Sequence, residues 1–181
     1  DFSSRGIADA VAFQANPDST ANYRHKSNIF IYKTDTDEAI AFVKFNVKAL
    51  AGKKISSATF STRGAMKTEG KTMTISLMDA ASTKFARDTT NWKNKPATGK
   101  ELATGLVVKS SARQNYTPTG TAFVDFVNGK LAQMQTEIAF ALKFKAGDGD
   151  DFSWMGGVGD AAYGPFLDLK LEEPVSIDTT T

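Results

Sequence analysis

A period of two runs through the apolar residues of this chain. Val43, Phe45 and Val47 alternate with Lys44, Asn46 and Lys48. Met73, Ile75 and Leu77 alternate with Thr72, Thr74 and Ser76, and Ile138, Phe140, Leu142 and Phe144 with Ala139, Ala141, Lys143 and Lys145. Successive side chains of a strand point to opposite faces, so each stretch reads as a strand with one buried and one solvated side. Further strands are expected at Asp9–Ala15, Ser27–Lys33, Ile55–Arg63, Glu101–Val108, Thr121–Val127 and Phe166–Leu171, divided by turns containing Gly, Pro, Asn and Ser. The one helical candidate is short, Phe126–Gln133, with Val127 and Leu131 at helical spacing. Roughly ten strands with one polar face each predict an all-β fold, a β-sandwich of two antiparallel sheets, with a jelly roll as its arrangement.

The chain has 181 residues, 41% of them hydrophobic, which suits one domain with a sizeable core. Residues 1–173 read as that module and the polar stretch 174–181 as a linker or tail. The start, Asp1-Phe2-Ser3-Ser4-Arg5, has no leader pattern, and together with the tail it suggests a module cut from a longer protein. No apolar run approaches the roughly 20 residues that span a bilayer. Net charge is +2, so no global field draws the chain to an acidic partner. Neither a nucleic-acid nor a membrane partner is assigned.

Catalytic signals are mostly negative. Cysteine is absent, which excludes disulfides and thiolate metal sites. The single histidine, His25, lies between Arg24 and Lys26, where flanking cations oppose its protonation. There is no nucleophile elbow, phosphate loop or His-Glu-x-x-His motif. No catalytic residue is assigned and no cofactor is required. Asp148-Gly149-Asp150-Asp151 lacks the order of a calcium loop and reads as a solvated turn. A structural Ca²⁺ near the chain ends, at Asp9 or Asp168, is the one metal this reading allows.

The functional lead is basic and aromatic. Tyr23, Arg24, His25 and Lys26 form a loop before the strand that carries Tyr32 and Lys33, while Lys44 and Arg63 lie on the polar sides of two later strands. If those strands share a sheet, their cations project from one face. Such a face suits a ligand with regularly spaced carboxylates or sulfates, which Arg grips bidentately and Lys meets as a point charge. Trp92 reads as a loop anchor that plugs the end of the sandwich. Trp154 stays open between anchor and sugar platform.

The segment Thr89-Thr90-Asn91-Trp92-Lys93-Asn94-Lys95-Pro96-Ala97 resembles the "T-W-N-N-K-P" element of the DNRLRE-domain group, which includes carbohydrate-binding module family 96, found appended to alginate lyases and other polysaccharide-degrading proteins. Ala8-Asp9-Ala10-Val11 with Asn22-Tyr23, Ala41–Val47 with Leu50, Ile55–Phe60, Val124–Val127 and Pro165–Leu169 are similar to further elements of that group and fall in its order. Arg24 stands where the group often has Gly, and Met155–Asp160 replaces its usual polar stretch before the last strand. The resemblance implies a β-jelly-roll module that binds polysaccharide, mainly through basic side chains. Lys44 and Arg63 carry over as cations on the group's strands, and Arg24, His25 and Lys26 as part of its early loop.

The expectation is therefore a non-catalytic, secreted bacterial module that holds an anionic polysaccharide, with alginate first. Tyr23, Arg24, His25, Lys26, Tyr32, Lys44 and Arg63 would contact it, with Tyr23 or Tyr32 supporting a sugar ring. The module would target a covalently linked catalytic domain. Two alternatives stay open: a structural or adhesive spacer of a cell-surface protein, and a small polysaccharide lyase built on Tyr23, Arg24 and His25.

Overall fold

The computed structural model describes residues 1–21 and 27–173. Its strands are β1 (Phe2–Arg5), β2 (Ala8–Phe13), β3 (Asn28–Lys33), β4 (Glu38–Asn46), β5 (Ile55–Met66), β6 (Thr72–Ala80), β7 (Thr98–Val108), β8 (Gln114–Tyr116), β9 (Glu137–Gly147), β10 (Ser153–Gly156) and β11 (Phe166–Leu171). One α-helix, α1 (Ala122–Ala132), accompanies them. The strand pairings are antiparallel and make an all-β sandwich. The front layer runs β1-β11-β5-β10-β3, with β8 on β5. The back layer runs β4-β9-β6-β7, with β2 on the other edge of β4. β3 leaves β10 to meet β4 at Tyr32↔Ala39 and Lys33↔Glu38, which joins the layers.

The alternating residues fill the space between the layers. Phe45 and Phe140 of the back layer meet Phe60 of the front edge-on, with centroids 6.0 and 6.1 Å from it. Tyr116 joins them, its hydroxyl donating to the carbonyl of Ile75 at 2.8 Å. Its ring lies so close to Gly105 that a Cβ there would stand 2.5 Å from it.

The segment Thr121–Val127, expected as a strand, is instead the start of α1. Phe123, Val127 and Leu131 recur every four residues and are buried in the core. Over so short an apolar run, periods of two and of 3.6 both fit, and only the extension to Leu131 separates them. The helix is tied to β5 by the Asn128 amide, which accepts from the Ile55 N–H and donates to its carbonyl.

The back layer is buried on both faces. Ala10, Ala12, Ile40, Phe42, Ala139 and Ala141 point away from the main core. They form a second apolar cluster with Ala80, Phe85, Met78 and Trp92. The cover is the loop 81–97, closed at its base by Ala81 N–H to the Ala97 carbonyl at 2.9 Å. Thr90 Oγ1 accepts from Ala86, Asn91 Oδ1 from Lys93 and Asn94, and Asn94 Oδ1 from Asn91, so the polar residues of this segment shape the loop. Trp92 is an anchor, as expected, but it covers the outer face of the back layer rather than the end of the sandwich.

Asp9 fastens this cover to the sandwich. Its carboxylate takes a two-point bond from Arg87, Nε at 2.9 Å and Nη2 at 2.8 Å, and a third from the Val158 N–H at 2.8 Å. A Cβ on Gly157 would lie 2.4 Å from Asp9 Oδ2, so only glycine lets the chain pass there.

Candidate functional site

On β5 the side chains of Phe60 and Met66 enter the core, while Ser57, Thr59, Ser61 and Arg63 face outward. Register aligns Ser61 with Phe166, and Phe166 with Arg5. Trp154 lies between Ala65 and Phe30 across the same face. The outside of the front layer therefore carries cations and rings together. Arg5 sits 4.8 Å from the Phe166 centroid, Arg63 4.8 Å from Tyr163, Arg113 4.1 Å from Trp154 and 5.2 Å from Tyr163. Each guanidinium is held by the negative face of a ring.

The two central arginines differ in what remains open. Arg113 is neutralised by Asp160 at 3.1 Å and also donates to Asn28 Oδ1 at 3.0 Å, which makes it a brace for this face. Arg63 donates from Nη2 to the Arg113 carbonyl at 3.1 Å, but its buried Nε has no acceptor among the described residues. That nitrogen belongs to a side chain lining a depression of about 130 Å³, shared with Ser61, Asn115, Tyr163 and Phe166. A buried N–H without a partner costs stability, and the Nη groups are the donors of this guanidinium left to meet a carboxylate.

The residues expected to act together are separated. Lys44 points out of the back layer, beneath the loop 81–97. Its ammonium donates to the Thr83 carbonyl at 2.8 Å, pairs with Glu137 at 3.4 Å and lies 5.5 Å from the Phe85 ring. Arg63 points out of the front layer, so the single face expected from Lys44 and Arg63 does not exist. Strand parity gave the outward direction of each correctly, but the two strands belong to different layers. Tyr32 is half-buried and donates its hydroxyl to Asp37 at 2.8 Å. Tyr23, Arg24, His25 and Lys26 lie outside the described residues.

Arg5, Arg113 and Tyr163 were not found from sequence. Arg113 follows Ser110-Ser111-Ala112, and Tyr163 stands in Ala161-Ala162-Tyr163-Gly164-Pro165, stretches without any period to mark a face. Trp154, left open above, carries Arg113 on its ring and is only partly exposed.

Metal sites fare differently. Both oxygens of Asp9 are engaged by Arg87, so a guanidinium occupies the place considered for Ca²⁺. Asp148 and Asp151 accept from the N–H groups of Thr72 and Thr68 and shape the turn between β5 and β6. Among the described residues, no three His, Cys, Asp or Glu side chains form a group that could hold a metal ion. No helix among them is long and apolar enough to cross a membrane.

Comparison with curated proteins returns no match. A family model does match, over residues 5–155, from the last residue of β1 into β10. The matched stretch includes Arg5, Arg63, Arg113 and Trp154, together with the whole loop that covers the back layer. That model describes carbohydrate-binding module family 96, and this chain belongs to the family.

Proposed function

We propose that this module binds an anionic polysaccharide, alginate first, on the outer face of the front layer, with Arg63 receiving a uronate carboxylate. The observation that carries this reading is the Arg63 guanidinium lining a depression walled by Tyr163 and Phe166. A carboxylate can accept from the two Nη groups of one guanidinium in two parallel bonds, which no neutral hydroxyl reproduces. The rings of Tyr163 and Phe166 offer apolar walls to the faces of a sugar, and Arg5 adds charge at the margin. The module itself performs no reaction in this reading. It holds an appended polysaccharide-degrading enzyme near its substrate. A large charged polymer of this kind is met outside cells, which supports an extracellular or cell-surface setting.

Affinity electrophoresis tests the proposal. Gels containing alginate, polygalacturonate or a neutral glucan should retard the protein only in the first two. Arg63→Ala should restore most of the mobility, and added salt should do the same, because contacts at a surface are screened within roughly 8 Å at physiological ionic strength. Retardation unaffected by Arg63→Ala would place binding elsewhere. Mobility unchanged in every gel would leave the spacer reading standing.

A further inference from the structure

A second depression, of about 330 Å³, lies on the same outer face, lined by Ser3, Ser57, Thr59, Asp168 and Lys170. Register places the two along the same strands. Ser3, Asp168 and Thr59 form one row across β1, β11 and β5; Arg5, Phe166 and Ser61 form the next; Arg63 follows two residues further along β5. From Thr59 to Arg63 the strand advances roughly 13 Å, at about 3.3 Å per residue. That is longer than one sugar ring. Phe166, with Arg5 against it, separates the two depressions.

The two ends differ in chemistry. Around Arg63 the lining offers N–H donors to a carboxylate. Around Asp168 it offers two carboxylates, of Asp168 and Asp1, and three hydroxyl groups, with Lys170 two residues along the strand. A uronate carboxylate placed against Asp168 would be repelled, whereas sugar hydroxyls can donate to Asp168 and exchange bonds with Ser3, Ser57 and Thr59.

Resting on the function proposed above, we infer that the ligand lies along β5 and β11 as an internal stretch of polymer. One unit presents its carboxylate to Arg63, and a unit further along presents hydroxyls to Asp168. The groove is open along the sheet and recognises no chain end.

Titration calorimetry of the full chain with a disaccharide, a tetrasaccharide and a hexasaccharide of the uronate polymer tests this. Affinity should rise at least about tenfold from the disaccharide to the tetrasaccharide and level off by the hexasaccharide. Asp168→Asn and Thr59→Glu, both at exposed strand positions, should weaken the hexasaccharide several-fold and leave the disaccharide unchanged, with thermal melts reporting that both variants fold. A disaccharide that binds as tightly as the hexasaccharide, or variants that leave the hexasaccharide unaffected, would overturn the extended site while Arg63 recognition stood. If no oligomer and no polymer binds, the proposed function and this inference fall together.

Discussion

Replacing Arg63 by lysine keeps the positive charge and removes the fork. In the structure Nη2 gives one of its hydrogens to the Arg113 carbonyl, which leaves its second hydrogen and Nη1 to form the fork. Lysine can supply the first bond or a point charge to the ligand, but not two coplanar donors to one carboxylate. A hydrogen bond to a charged group contributes about 1.5–3 kcal/mol, so losing the second bond should weaken binding roughly tenfold to a hundredfold. Arg63 is partly buried against Tyr163, which shields the contact from part of the solvent screening. Calorimetric titration with a uronate hexasaccharide at low salt reads the difference, and a denaturation curve checks that the face is intact. Arg63→Lys should then lose roughly tenfold to a hundredfold, and Arg63→Ala more, because the charge and the first bond go as well. If Arg63→Lys binds within about twofold of the parent while Arg63→Ala fails, Arg63 acts as a charge alone and the bidentate argument is wrong.

Three further outcomes concern the scaffold. Asp9→Ala removes the buried carboxylate, 5% exposed, that accepts from Arg87 and the Val158 N–H, and should cost about 3–5 kcal/mol in urea denaturation; a loss under about 1 kcal/mol would show that the pair does not hold the cover. Phe85→Ala opens a gap under the loop 81–97, where Phe85 packs on Phe42. It should destabilise the fold by about 3–5 kcal/mol with hexasaccharide affinity unchanged, since the ligand face is on the other layer. Burial pushes the Tyr116 phenol far up, so the folded state keeps a proton that the unfolded state releases above about pH 10. Stability from this group is therefore complete below that pH and falls as pH rises through it; Tyr116→Phe should flatten the alkaline limb of a stability-against-pH curve, and an unchanged limb would count against it.

The alternation of Val43–Val47, Met73–Leu77 and Ile138–Phe144 was enough to specify strands, the residues that face the main core and a two-layer sandwich, but it read as solvated the other face of the back layer, which the loop 81–97 covers. The Trp92 segment, together with the order of the weaker elements, was enough to point to the family. Both signals are local, or depend only on order along the chain. β1, β8 and β10 were missed because they are only three or four residues long, too short for a period to show.

Parity along a strand says which residues leave the core on that strand, and it placed Lys44 and Arg63 correctly in that respect. It says nothing about which layer the strand joins or what lies outside it. Strand order put Lys44 and Arg63 on opposite layers, and the loop 81–97 then closed over Lys44 as a lid of Phe85 and Trp92. The proposed ligand face is assembled from β1, β5, β10, β11 and two aperiodic loops, residues as far apart as Arg5 and Phe166. The Arg63 guanidinium keeps its orientation there because Tyr163 and the Arg113 carbonyl hold it from outside its own strand, and contacts between distant segments leave no pattern in the order of residues.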